Sequence, residues 1–137
     1  MARRIVAQGN GRDTLPAMAL LALVTALAQT GFAFGRTGGN IMPFTISIAT
    51  SGRVTATGAA PTHATTVSKL RLANLNRAVI DDQFETLPAV TNCPGTLPDI
   101  ASQVIRVGGR SVRVHGGCVA RFNRLWTAMN RAVRTSY

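Results

Sequence analysis

Carboxylates, lysine and aromatic rings are all scarce in this sequence of 137 residues. Five residues are acidic against 15 that are basic, and the formal net charge is +10. Lys69 is the only lysine, so arginine carries almost all of the positive charge. Aromatic residues make up 5% of the chain, which argues against nucleic-acid binding by base stacking. The basic surface instead predicts attraction to polyanions or to acidic partners.

Catalytic and metal-binding motifs are missing as well. The sequence contains neither G-x-S-x-G nor H-E-x-x-H. Asp81 and Asp82 are adjacent at the end of a helical pattern, where neighbouring side chains point in different directions and make a poor acid/base pair. His115, Cys118 and Cys93 lack a fourth zinc ligand at a recognisable spacing. We therefore predict a protein that is not an enzyme and has no metal and no cofactor.

The N-terminal region has the pattern of an export signal. An uncharged apolar run of about 14 residues, 15–28, follows three arginines and ends in the cleavage pattern Ala26-Leu27-Ala28. A membrane span needs roughly 20 residues. The sequence thus predicts a signal peptide over residues 1–28 and a secreted, periplasmic or cell-envelope protein. An uncleaved membrane anchor is the alternative.

The chain that remains after cleavage is predicted to be one small domain. Glycines at 35, 38 and 39 indicate a flexible linker over residues 29–40, followed by a domain over 41–137. Residues 29–137 contain 12 basic and four acidic residues, a net charge of +8. We expect this domain to be a monomer that contacts a membrane only if the signal segment is retained.

Hydrophobic periodicity predicts two hairpins and two helices in the order β-β-α-β-β-α. Period-two alternation marks strands near 44–48, 54–57 and 111–115, and residues 99–107 are a further strand candidate before the GGR turn. Ser68 is placed as an N-cap before apolar residues at helical spacing, and a second apolar stripe runs from Phe122 to Val133. The predicted fold is α+β, a four-stranded, mainly antiparallel sheet with two helices on one face.

Cys93 and Cys118 are the two cysteines, and both lie in the predicted exported part. An even number of cysteines in an exported chain favours a disulfide. A reactive Cys118 thiol is the alternative, because a helix N-terminus and nearby arginines lower a thiol pKa. That alternative would make the protein redox-active.

The final helix also predicts a basic face. At 100° per residue, four arginines fall opposite its apolar stripe. They are Arg121, Arg124, Arg131 and Arg134. A solvated helix face and a binding face for acidic envelope polymers are both compatible with this pattern.

Short motifs in the second half resemble known families. FETLP at 84–88, PD before a strand, GGRSVRV at 108–114 and the closing helix resemble small bacterial exported proteins of unknown function. More loosely, residues 44–134 resemble the emfourin-like inhibitors of thermolysin-type proteases. This resemblance implies the element order and the lack of catalytic residues. Emfourin-like proteins carry an SGGFAG-type segment where only Ser51-Gly52 stands here, so no inhibitory residues are assigned.

These observations predict a small secreted, disulfide-stapled domain that works by binding. A protein partner, with protease inhibition as one form, is the first hypothesis. A basic envelope protein held by anionic polymers is the second, and a redox-active thiol protein is the third. Nucleic acid is not an expected partner.

Overall fold

The computed structural model describes residues 31–134, which contain six strands and two α-helices in an α+β arrangement. The strands are β1 (Phe32–Thr37), β2 (Phe44–Ile48), β3 (Val54–Gly58), β4 (Val90–Asn92), β5 (Ser102–Val107) and β6 (Arg110–His115). The helices are α1 (Lys69–Asp81), between β3 and β4, and α2 (Ala120–Ala132), after β6. The predicted signal peptide, residues 1–28, lies outside the described residues. Within residues 31–134, no helix is long and apolar enough to cross a membrane.

The six strands form one mixed sheet in the order β3-β2-β1-β5-β6-β4. Every neighbouring pair is antiparallel except β4 and β6, which are parallel. Both predicted hairpins, β2–β3 and β5–β6, are confirmed. The expected four-stranded sheet was wrong, because two further strands, β1 and β4, complete it.

β1 forms where a flexible linker was expected over residues 29–40. Phe32 and Phe34 alternate with Ala33 and Gly35, and both phenylalanines are buried. Phe34 lies opposite Ile46 on β2 and Ile105 on β5. The alternation was hidden because it directly follows the apolar run, and the glycines suggested a tether. Because β1 pairs with β2 on one edge and with β5 on the other, and both rings are buried in the core, this segment is a central strand.

β4 forms within a segment that was expected to be a loop. Val90 lies opposite Arg113, and Asn92 lies opposite His115. The backbone N–H of Cys93 also donates to the carbonyl of His115 at 2.8 Å. Three residues are too few for a period-two signal, so this edge pairing depends on contacts with β6 that are remote in sequence.

The hydrophobic core lies between one face of the sheet and the two helices. Phe34, Ile46, Ile105 and Val112 occupy neighbouring positions of that face, and each is at most 1% exposed. The helices contribute Leu75 from α1 and Phe122, Leu125 and Met129 from α2 to the same cluster. Within the described residues, the opposite face of the sheet has no helix over it.

The predicted N-cap of α1 and the predicted apolar stripe of α2 are confirmed. Ser68 is the N-cap of α1, and its hydroxyl accepts a hydrogen bond from the backbone N–H of Arg71 at 3.2 Å. Trp126 packs on the core, edge-on to Phe34 with ring centroids 5.5 Å apart. The guanidinium of Arg36 lies 5.6 Å from the centre of the Trp126 ring, close enough for a cation–π contact.

Gly35 fits a position of β1 where no side chain is tolerated. A Cβ atom placed there would lie 2.0 Å from the backbone carbonyl oxygen of Phe44 on β2. A backbone atom in a central sheet cannot move aside as a flexible side chain can. Glycine therefore allows β1 and β2 to approach each other at this point.

We predict that Gly35→Ala lowers the free energy of unfolding by about 2 kcal/mol or more, because the added methyl group overpacks the β1–β2 contact. Urea unfolding of the disulfide-bonded protein measures this loss. Gly109→Ala is the matched control, since a Cβ atom at Gly109 meets nothing within 4 Å. Equal stability of the two variants would contradict the assignment of Gly35 as a close-approach glycine.

Candidate functional site

The two cysteines form a disulfide bond. The sulfur atoms of Cys93 and Cys118 are 2.01 Å apart, and the Cα atoms are 5.6 Å apart. The bond ties the end of β4 to the turn that precedes α2. The backbone N–H of Cys118 also points to the sulfur of Cys93 at 3.1 Å. The predicted disulfide is confirmed.

His115 belongs to the same junction but has a different partner from the one a thiol–imidazole pair would need. Its Nε2 lies 2.8 Å from the backbone carbonyl oxygen of Ile100. Gly116 follows with a φ of 109°, and a Cβ there would lie 2.6 Å from the Cβ of Cys93. The stretch from His115 to Cys118 is therefore a tight strand-to-helix turn, closed by the disulfide on one side and by the loop before β5 on the other.

This geometry is relevant to two alternative roles of Cys118, as a reactive free thiol and as a zinc ligand. Its sulfur is bonded to Cys93, so the reactive free thiol is not the species present in this structure. Within residues 31–134, no group of three or more histidine, cysteine or acidic residues is placed to hold a metal ion. The junction has the geometry of a structural staple.

The four arginines of the predicted basic face divide into two pairs. Arg121 donates from Nη1 to the Thr86 hydroxyl at 2.8 Å and to the carbonyl of Asp82 at 3.3 Å. Arg124 forms an ion pair with the Asp82 carboxylate, with 2.9 Å between Nε and Oδ1. Because Asp82 is the C-cap of α1, these two arginines hold the end of one helix against the other.

Arg131 and Arg134 lie at the other end of α2, and both are exposed. Arg71 of α1 reaches this end and donates from Nη1 to the carbonyl oxygens of Ala132 and Arg134, at 3.2 and 3.4 Å. Arg71 thereby satisfies carbonyl groups that the last turn of α2 leaves without a helical partner. Arg124 is exposed as well but is paired with Asp82, whereas Arg131 and Arg134 are exposed and form no ion pair with a described acidic residue.

A surface that the sequence analysis did not identify lies at one end of the sheet. The loop between β1 and β2 contacts the loop between β4 and β5 through a hydrogen bond from the backbone N–H of Asn40 to the carbonyl of Asp99, at 2.9 Å. Gly39, with a φ of 62°, makes this approach possible, because a Cβ there would lie 2.5 Å from the same oxygen. The glycines expected to form a tether instead form an ordered turn.

Four large apolar side chains are exposed on these two loops, and we call them the loop-end patch. They are Ile41 (40% exposed), Met42 (75%), Leu97 (61%) and Ile100 (49%). Only three other large apolar residues of the described chain are as exposed, and none of them lies on these loops. Clustered exposed apolar residues with a polar rim are typical of protein–protein contact sites.

A cleft of about 570 Å³ opens beside the loop-end patch. Ile41 and Ile100 line it together with the polar side chains of Arg36, Asp99 and Asn123. The cleft therefore combines apolar walls with one cation, one anion and hydrogen-bonding groups. Such a mixture suits a protein segment that has both apolar and polar side chains.

The loop-end patch left a weak signal in the sequence. Its residues stand beside prolines in IMP at 41–43 and TLPDI at 96–100, outside any periodic segment. Large apolar residues in a turn-rich loop have no core stripe to join. That Ile41 and Ile100 line one cleft depends on the contact between two loops separated by more than 50 residues.

Comparisons with protein-family models, with curated proteins and with solved structures found no match to this chain.

We predict that Cys93→Ala/Cys118→Ala lowers the free energy of unfolding by about 3 kcal/mol, because the staple no longer restricts the unfolded chain. Urea unfolding compares this variant with the wild-type protein. Wild-type protein that has been reduced and kept reduced is the matched control and should unfold at a similar denaturant concentration. A variant as stable as the oxidised protein would rule out a stabilising role for the bond.

Proposed function

We propose that this protein is a small exported, non-catalytic domain that binds another protein through the loop-end patch. The observation that carries the proposal is the concentration of exposed Ile41, Met42, Leu97 and Ile100 on two loops that touch. Burying such side chains against a partner removes apolar area from water, which is the main source of affinity in protein association.

The fixed conformation of the loops supports this proposal. The loop before β5 is held by the disulfide at Cys93 and by His115 at Ile100. In the loop between β1 and β2, the backbone N–H of Asn40 donates to the carbonyl of Asp99 in the loop before β5. A loop that is already ordered loses less conformational entropy on binding, so its apolar contacts contribute more of their energy to affinity.

Export is supported by the disulfide and by the position of β1. Disulfides persist in secreted and periplasmic proteins and are rare in the cytosol. Cleavage after Ala28 would leave Gly31 and the whole of β1, Phe32–Thr37, in the mature chain. Cleavage within β1 would remove a strand that pairs on both sides. The proposed cleavage site is thus compatible with an intact sheet.

We predict that the mature protein begins at Gln29. Intact-mass measurement of protein recovered from the cell envelope or the medium tests this start. An Ala26→Leu/Ala28→Leu variant is the control and should keep the full-length mass, because a signal peptidase requires small residues at these two positions. A wild-type mass that retains residues 1–28 would instead support the uncleaved membrane anchor.

Inhibition of a thermolysin-type protease is one specific form of the proposed function. The motifs behind that resemblance lie in the fold's interior and turns, since Phe84 and Leu87 are each 1% exposed and Gly108 has a φ of 60°. They support the fold and supply no inhibitory contact. The loop-end patch would supply that contact by entering an apolar substrate cleft of the protease.

Retention by anionic polymers of the cell envelope is a second candidate function. One observation favours it: the six strands contain four arginines and no acidic residue. Acidic residues of the described chain are confined to the helix end, the adjoining turn and the loop before β5. The strands of the sheet therefore carry positive charge only.

We predict that a photo-crosslinker at the loop-end patch captures one discrete protein partner. Met42→p-benzoylphenylalanine, expressed in the organism that produces the protein, should give one cross-linked band after irradiation. Leu70→p-benzoylphenylalanine is the matched control, because Leu70 is 72% exposed and Met42 is 75% exposed, but Leu70 lies on α1.

A second substitution tests whether the captured contact is specific. Adding Leu97→Asp to the Met42 variant places a charge within the patch and should abolish the band, because a buried unpaired charge opposes association. Bands of equal intensity from positions 42 and 70, or a band that survives Leu97→Asp, would show that the patch is not the binding surface.

A further inference from the structure

The face of the sheet away from the helices forms a groove along β1. No large side chain projects from this face at Gly31, Ala33 or Gly35. Two adjoining hollows, of about 400 and 320 Å³, both include Ala33 and Arg106 in their walls. The hollows together run from Gly31 to Thr37, so they form one groove along the strand.

Hydroxyl groups line one side of this groove. They belong to Thr45 and Ser47 on β2 and to Thr55 and Thr57 on β3. The strand register places these residues in adjacent pairs, Thr45 opposite Thr57 and Ser47 opposite Thr55. A hydroxyl both donates and accepts hydrogen bonds, so this wall suits a ligand that itself carries many hydroxyl groups.

Three exposed arginines cross the same face of the sheet. Arg106 on β5 lies opposite Ala33, and Arg53, just before β3, borders the groove beside it. Arg113 on β6 is a diagonal neighbour of Arg106, because Arg106 pairs with Ser111 two residues earlier. Diagonal neighbours are about 7 to 8 Å apart, so Arg106 and Arg113 form a close pair of like charges.

These guanidinium groups have no carboxylate beside them among the described residues. The ion pair of the described residues lies elsewhere, between Arg124 on α2 and Asp82 at the end of α1. The guanidinium groups of Arg53, Arg106 and Arg113 form no hydrogen bond with another described residue. An exposed cluster of arginines without counter-charges is complementary to an anion with regularly spaced charges.

We propose that this groove binds an extended acidic polysaccharide whose sugar units carry carboxylates. Arg53, Arg106 and Arg113 pair with the carboxylates, since a guanidinium donates two parallel hydrogen bonds to such a group. The threonine and serine wall bonds the sugar hydroxyls. This proposal rests on the second candidate function, retention by anionic polymers, and assigns it a site and a ligand class.

The chemistry of the face favours this ligand over other polyanions. Single-stranded nucleic acid is normally bound with bases stacked on aromatic rings, and the outward positions of the strands carry none. A membrane surface is normally bound with apolar side chains inserted between lipids. On this face Val104 is half-buried, and Val90 is exposed only at the β4 edge.

The test compares two charge-matched double variants of the mature protein. Arg106→Gln/Arg113→Gln removes one charge from the groove wall and one from β6 beside it, and Arg131→Gln/Arg134→Gln removes two from the end of α2. The probe is an oligogalacturonate of defined length, with the neutral reduced oligosaccharide as ligand control. Isothermal titration calorimetry at one fixed ionic strength measures both affinities, and circular dichroism checks that each variant is folded.

We expect the groove variant to bind the oligogalacturonate about tenfold more weakly or worse, because two charge-assisted contacts are lost. The helix variant should change affinity by less than about twofold, since its charges are distant and screened. Equal weakening by both variants would overturn the groove, because net charge alone would then explain binding. No binding by the wild-type protein would overturn it as well.

Amide chemical shifts give a measurement that needs no variant. Titration of the wild-type protein with the oligogalacturonate should shift β1, β5 and β6 amides, and shifts confined to α2 would overturn the proposal. Single-stranded DNA and vesicles of anionic lipid are tested in parallel, and tighter binding of either would also overturn it. Envelope polymers could retain the protein in cells and release only the Arg131→Gln/Arg134→Gln variant. That outcome would support the second candidate function and overturn the groove as its binding site.

Discussion

Backbone pairing of β1 on both of its edges is the interaction on which the sheet depends. The hairpins β2–β3 and β5–β6 have no pairing with each other, and β1 joins them through Ile46 on one side and Ile105 on the other. Phe34 lies between those two residues and is 1% exposed. β5 lies about 70 residues from β1 in sequence, so the β1–β5 pairing is the most remote strand pairing of the fold. Its formation therefore costs the most chain entropy.

The same strand connects the packing of the domain to its proposed binding groove. Gly35 is required because β2 approaches too closely for a Cβ atom. The absence of a side chain at Gly35 and Gly31, together with the small methyl group of Ala33, leaves the outer face of β1 open. The groove is therefore a consequence of the way the central strands pack. The arginines and hydroxyl groups on neighbouring strands then give that opening its chemical character.

Arginines of this chain have several different roles, although composition counts them as one charge. Arg121 and Arg124 bind the end of α1, Arg71 satisfies carbonyls at the end of α2, and Arg36 lies over Trp126. Arg53 and Arg106 line a groove, Arg113 lies beside it on β6, and none of the three has an acidic neighbour among the described residues. Helical-wheel geometry placed four arginines on one face of α2, but it could not show that two of them have partners on another helix.

Local signals in the sequence determined the two hairpins, both helices, the Ser68 cap and the pairing of Cys93 with Cys118. Each depends on periodicity, on capping chemistry or on the presence of only two cysteines. Tertiary structure alone decided that β1 is a central strand, that β4 joins β6, and that Ile41 and Ile100 share one cleft. Those features arise from contacts between segments remote in sequence, for which short-range patterns of residues contain no information.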